Sequence, residues 1–232
     1  MRLSHLPYTA TTCSTARGLL ARTFAVVGLF AAVVLAAPEA DRLGQQAELR
    51  YGEQGRNMLL KWRQLLDDTA SMAEVERLAV VNVFFNRNIV FSTDKAIWNK
   101  TDYWATPLET MGRKQGDCED FSIAKYVTLL KLGIAAEKLR LVYVKADRGM
   151  GALQAHMVLA YYPTPNGEPL IMDNLSPDIL PASQRKDLFP VFSFNSAGLW
   201  VGNDNQPKIK KPETRLSRWR DVLIRMQAEG LQ

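Results

Sequence analysis

Between Asp117 and Gly133 the chain reads DCEDFSIAKYVTLLKLG, a helical stretch with apolar residues on nearly all sides. Its body is Phe121, Ile123, Ala124, Val127, Leu129, Leu130 and Leu132, and only Ser122, Lys125, Thr128 and Lys131 interrupt it with strong polarity. A helix of that composition is mostly buried, so other elements must surround it. Gly133 is a natural residue to stop it. The material is sufficient: 47% of the 232 residues are hydrophobic, with 14 Gly and 11 Pro, which excludes disordered, collagen-like and disulfide-scaffold chains.

The flanks supply the surroundings. Asp41 to about Leu66 reads as a helix with Met58, Leu59, Trp62, Leu65 and Leu66 at helical spacing. Ser71 with Glu74 reads as a capping box opening a second helix through Ala79, Val83 and Phe84. Asn86 to Pro107 is irregular, aromatic and polar, suited to a loop lining a cleft, and Gly112 to Gly116 reads as a turn. Past the buried helix, strands are expected over Leu139–Lys145, His156–Tyr162 and Pro169–Asp173, with the Asn166-Gly167 turn between the last two. Phe192, Phe194 and Leu199 to Val201 add more strand. A last helix from about Glu213 places Leu216, Trp219, Leu223 and Met226 on one face. Helices first and an antiparallel sheet afterwards make an α+β fold, with N-terminal helices packed on the sheet.

The first forty residues are read as an export signal rather than as fold. Arg17 and Arg22 precede a 15-residue apolar run, Thr23 to Ala37, with an alanine-rich exit. That is the anatomy of a signal peptide, and it is shorter than the ~20 residues of a membrane span. Cleavage is expected near residues 36–40, leaving a single domain over 41–232 in the periplasm with no stable membrane insertion; an uncleaved anchor is the alternative. Removing Arg2, Arg17, Arg22 and Glu39 takes the net charge from +5 to +3, too mild for a nucleic-acid binder without a basic, aromatic-laced run. The four arginines of the last helix, Arg215, Arg218, Arg220 and Arg225, read as a solvated basic face.

The same cut removes Cys13 and His5, leaving one cysteine, Cys118, and one histidine, His156. One cysteine forms no internal disulfide, and one Cys with one His is a poor zinc site. Cys118 falls at the first turn of the buried helix, where free N–H groups and the helix dipole favour a thiolate. His156 starts one strand and Asp173 ends the next, so the two can face each other across an antiparallel ladder. Together they form a nucleophile, base and orienter; a structural cysteine and a hydrogen-bonded core histidine are the competing account. Asp117, Glu119 and Asp120 crowd the thiol with carboxylates. They suit helix capping first; a hard cation such as calcium is the second reading, and it would offset the charge that otherwise raises the thiol pKa.

The stretch DYWATPLETMGRKQGDCEDFSIAKY (Asp102–Tyr126), the A-H-M-V-L strand at Ala155–Leu159 and the I-M-D-N segment at Ile171–Asn174 resemble the bacterial transglutaminase-like cysteine proteinases, the LapG-type periplasmic proteases. The resemblance runs from about Arg42 to Trp200. It implies a papain-like α+β fold, with Cys118 as nucleophile, His156 as base and Asp173 as its orienter. It also implies calcium dependence, with Asp117 and Glu119 as ligands and Asp120 as a further one. The implied substrate is a large surface adhesin, cut near its N-terminus after a pair of alanines, which releases the adhesin and disperses biofilm. The implied partner is an inner-membrane receptor for cyclic di-GMP that sequesters the protease. Ser122 stands where related cores often carry Ala, and Trp104 is either a wall of the substrate cleft or a core or loop-anchoring aromatic. Two alternatives remain: a transglutaminase using the same triad for acyl transfer to an amine, and a non-catalytic calcium-binding interaction protein.

Overall fold

The computed structural model describes residues 41–149, 151–202 and 206–231; the signal segment assigned to residues 1–40 lies outside them. α1 (Arg42–Thr69) is bent at Gly52 and buries Met58, Leu59, Trp62 and Leu65, the face read from the sequence. α2 (Glu74–Asn88) departs from it in two ways. The expected box at Ser71 and Glu74 is displaced: the Glu76 carboxylate caps the Ala73 N–H at 3.0 Å, while Glu74 instead accepts from Lys138 and the Tyr161 hydroxyl. The buried face is Leu78, Val81, Asn82 and Phe85, with Val83 exposed. The helix opens at Glu74, two residues later than a Ser71 cap implies.

The supposed loop after α2 is more ordered than its composition suggested. β1 (Val90–Phe91) and α3 (Asp94–Trp98) occupy it, α4 (Pro107–Arg113) and β2 (Gln115–Gly116) follow it, and β1 pairs parallel with β2 through Val90↔Gln115 and Phe91↔Gly116. Thr93 caps α3 by accepting from Ala96 N. Thr106 and Glu109 form a capping box on α4, with Pro107 at its first turn.

α5 (Cys118–Lys131) is the buried helix, and its polar residues explain how it is held. Ser122 Oγ donates to the Met157 carbonyl at 3.1 Å. Lys125 Nζ donates to Asn82 Oδ1 at 2.7 Å. Thr128 Oγ1 accepts from Trp62 Nε1 at 2.8 Å and donates to its own helix at Ala124 O. Three polar side chains thus bond to three different neighbours, and each buried group finds a partner. The helix ends as expected at Gly133, whose positive φ of 82° lets Gly133 N and Ile134 N reach the Leu130 and Leu129 carbonyls.

The remaining strands are β3 (Leu139–Ala146), β4 (Gln154–Tyr161), β5 (Leu170–Met172), β6 (Leu180–Pro181), β7 (Leu188–Phe194) and β8 (Leu199–Val201). They form one antiparallel sheet in the order β6-β5-β4-β3-β7-β8. Leu139, Leu141, Met157 and Leu159 join the helices in the main core, while Val142, Val144, Val158, Ala160 and Ile171 pack on the other face. A short 3-10 turn, Pro212–Thr214, leads into α6 (Ser217–Glu229), which buries Trp219, Val222 and Met226. Helices on an antiparallel sheet give the α+β class read from the sequence. No helix among the described residues is long and apolar enough to cross a membrane.

The basic face of α6 is not wholly solvated. Arg225 turns inward to Glu109 and to the Trp104 carbonyl, and Arg218 pairs with Asp102 at 2.6 Å. Glu109 also accepts from Arg50 and Tyr103. This buried network ties α1, α4 and α6 together beside the segment that precedes α4.

Candidate catalytic site and carboxylate cluster

Cys118 is the first residue of α5 and is partly exposed. Its thiol donates to Glu119 Oε2 at 2.7 Å, and the Met157 backbone N–H points at the same sulfur. Burial pushes the thiol pKa well up, and Glu119 and Asp117 push it further, while the Met157 amide pulls it down. Met157 follows His156 directly on β4, so the Met157 amide brings the start of α5 and the histidine strand to one place.

His156 and Asp173 meet, but not as ladder partners. The β4–β5 ladder runs only from Tyr161↔Leu170 to Leu159↔Met172, so both residues lie past its end. Asp173 leaves β5 into a turn, where its Oδ1 accepts from His156 Nε2 at 2.9 Å and from Leu175 N at 2.9 Å. Its Oδ2 accepts from Arg185 at 2.8 Å. Burial pushes the Asp173 carboxyl up, but the bonds from His156, Leu175 and Arg185 outweigh it and hold the group below the usual carboxylate range. Arg185 is in turn gripped by Asp187. An ionised carboxylate accepts only, so His156 carries its proton on Nε2 and leaves Nδ1 as a base.

The turn after Asp173 is suspended from α2. Asn86 donates to the Asp173 and Ser176 carbonyls, and Asn82 donates to the Pro177 carbonyl. A cavity of about 480 Å³ opens beside His156 and Asp173, bounded by Arg148, Ser176 and Asp187. A larger one of about 690 Å³ lies between α5 and α6, away from the expected site residues. Trp104 is not a cleft wall: it is 8% exposed and stacks on Phe194 with ring centroids 5.7 Å apart. Its aromatic face does core work.

The carboxylates around the thiol divide into two groups. Asp117 and Glu119 lie with Cys118, and Asp117 also joins Asp120 and Asp94, with oxygens all within 4.8 Å of one another. Asp120 is fully buried; its Oδ1 accepts from Ala105 N at 2.7 Å and its Oδ2 from Asp117 N at 3.3 Å. Gly116 makes room for it, since a Cβ there would stand 2.8 Å from Asp120 Cβ. Asp94 Oδ2 accepts from Tyr103 N at 2.6 Å. Asp94 Oδ1 and Asp117 Oδ1 are buried with no hydrogen-bond partner. Burial, then Glu119 and Asp120, push Asp117 up to about 10. Buried oxygens without donors, set among other carboxylates, fit a hard cation and fit helix capping alone poorly. Capping and metal binding are therefore not exclusive here: Asp120 caps the helix and faces the cluster. Asp94 was not anticipated, because it comes from a short helix far from Asp117 in sequence.

Known proteins resemble this chain over most of its described length. The model of the bacterial transglutaminase-like cysteine proteinase family matches residues 60–205. A solved structure of Legionella pneumophila LapG is 38% identical, with TM-score 0.69, covering 80% of this chain and 96% of that one. Its calcium-bound form is 38% identical with TM-score 0.69, covering 79% and 97%. Its EGTA-treated form is 37% identical with TM-score 0.70, covering 80% and 96%. No curated protein sequence matches.

Proposed function

The chain belongs to the bacterial transglutaminase-like cysteine proteinases, and we propose that it is a calcium-dependent endopeptidase of the periplasm that cuts a large surface adhesin near its N-terminus. One observation carries this reading. Cys118 heads α5 with the amide of Met157, the residue after His156, at its sulfur, and His156 is bonded to an ionised Asp173.

The chemistry follows from those groups. His156 Nδ1 takes the thiol proton, and the sulfur attacks a peptide carbonyl to form a C–S bond. The Cys118 N–H, free at the first turn of its helix, donates to the oxyanion. His156 then protonates the leaving amine, the C–N bond breaks, and a water deprotonated by Nδ1 hydrolyses the thioester. Asp173 holds the tautomer and steadies the imidazolium, while Arg185 keeps Asp173 ionised.

Asp94, Asp117, Asp120 and Glu119 would hold calcium, whose charge there would offset the carboxylates that raise the thiol pKa. Support comes from the calcium-bound Legionella relative and from the orphaned oxygens. Export through residues 1–40, adhesin release, biofilm dispersal and sequestration by an inner-membrane cyclic di-GMP receptor extend the same reading and rest on the family resemblance.

The test incubates purified protein with an adhesin N-terminal fragment containing a di-alanine site, in calcium or EGTA, with a primary amine present. A single calcium-dependent cut, lost in Cys118→Ala, is expected. Amine incorporation without cleavage would make the enzyme an acyl transferase. An intact fragment with folded, calcium-loaded wild-type protein would overturn the endopeptidase reading.

A further inference from the structure

On α5, Cys118, Ser122 and Lys125 follow at spacings of four and three, which places them on one stripe of the helix. Cys118 heads the stripe, and Ser122 bonds the carbonyl of Met157, the residue after His156. One turn deeper, Lys125 is 1% exposed. Its bond to Asn82 Oδ1 and the face of the Phe121 ring at 5.8 Å are its polar surroundings. Among the described residues no carboxylate forms an ion pair with it. A buried ammonium without an ion-pair partner is costly, and an apolar side chain of similar length would fill the same space without that penalty.

Two features connect Lys125 to the site. Its partner Asn82 also holds the Pro177 carbonyl, and Asn86 on the next turn of α2 holds the Asp173 and Ser176 carbonyls. The turn that carries Asp173 thus hangs on a pair of asparagines, one of them anchored by Lys125. In addition, burial lowers the Lys125 ammonium to about 7, and Asp173 is the charge that acts to raise it again.

We propose that Lys125 is a positioning residue for the Cys118–His156–Asp173 set, fixing the 173–177 turn through Asn82 and adding its positive charge to those that hold Asp173 as the acceptor of His156. The proposal rests on the catalytic reading of those three residues. The charged groups about Asp173 are then His156 from β4, Arg185 with Asp187 behind it from the segment before β7, and Lys125 from α5. Lys125 faces the carboxylate as an opposite charge and the imidazolium as a like one, so its removal changes the setting in which His156 exchanges its proton.

The experiment follows the His156 imidazole by NMR against pH in the full chain, its resonance told from that of His5 by its loss in His156→Gln. Lys125→Met removes the charge and the bond to Asn82; Lys125→Gln removes the charge and keeps an amide donor. Both should give a His156 titration curve distinct from that of the wild type. The adhesin-fragment kcat should fall severalfold with KM little changed, and less in Lys125→Gln. If Lys125→Met does not fold, Lys125→Gln carries the test. Superimposable His156 titrations in wild type and Lys125→Gln, with activity falling only as the folded fraction falls, would overturn the proposal. Alkylation of wild-type Cys118 separates the two levels. A thiol that reacts as an ordinary one and ignores His156→Ala removes the catalytic reading; an activated thiol with unmoved His156 titrations removes only the role of Lys125.

Discussion

Asp94→Asn should change the response to calcium from both ends. The oxygens of Asp94, Asp117 and Asp120 lie within 4.8 Å of one another. Two full charges at that separation repel by about 3.5 kcal/mol at an effective dielectric near 20, a figure that proton sharing in the cluster reduces. Asparagine keeps an acceptor for the Tyr103 amide and removes one charge, so the calcium-free protein should gain roughly 1–3 kcal/mol. At about 2–4 °C per kcal/mol for a chain of this size, its Tm should rise by at least about 2 °C. Calcium at a hundred times its Kd adds about 2.7 kcal/mol to the wild type; tenfold weaker binding leaves about 1.4 kcal/mol. The gap between melting in calcium and in chelator should therefore shrink by about half. Scanning calorimetry of both proteins, each with calcium and with EGTA, reads all four values. A variant with an unchanged calcium-free Tm and the full calcium shift would refute the argument and leave Asp94 as a structural cap of its loop.

Other consequences follow from the same structure. Asp173 is held below the usual carboxylate range, so the stability it contributes is present above its unfolded pKa near 3.9 and is lost as pH falls below that value. Asp173→Asn should thus flatten the acid limb of unfolding free energy below about pH 4, and an acid limb identical to wild type would contradict the ion-pair account. Trp62→Phe removes the Nε1 bond to Thr128 and leaves a small void, costing about 2–3 kcal/mol and roughly 5–10 °C in Tm; a loss under about 1 °C would mean that the bond does not hold α5. Arg225→Ala should speed amide exchange over residues 103–106, because Arg225 holds the Trp104 carbonyl and Glu109; unchanged protection there would show α6 to be uncoupled from that segment.

What was legible in the sequence was whatever a period can encode. α5, the inner face of α1 and strands β3 and β4 follow from apolar spacing over many residues, and Gly133 stops α5 where its positive φ is needed. The short α3 and α4 carry too few residues to show a period. A local signal was nevertheless present at α4, since Thr106-Pro107-Leu108-Glu109 is a capping box with proline at the first turn. The meeting of His156 and Asp173 was read from strand order, but the register that brings them together beyond the ladder end depends on where β5 stops. Asp94 and Arg185 were illegible for a plainer reason: each reaches its partners through a chain reversal that no local pattern announces. Trp104 looked like a cleft wall because its neighbours are polar, yet Phe194, far along the chain, takes its ring into the core.

The three bonds that seat α5 have a consequence for when the enzyme becomes active. Trp62 and Asn82 precede the helix, whereas the Met157 carbonyl that holds Ser122 comes 35 residues after it. The helix therefore cannot settle on its local neighbours alone, and its docking waits on a non-local closure of the kind that slows folding. That closure is the same one that delivers the Met157 amide to the sulfur and carries His156 and, through β5, Asp173 into place. Seating the buried helix and finishing the sheet are thereby a single event. A chain whose last core strands have not closed carries Cys118 without the Met157 amide and without the bonded His156 and Asp173 that the folded protein sets near it.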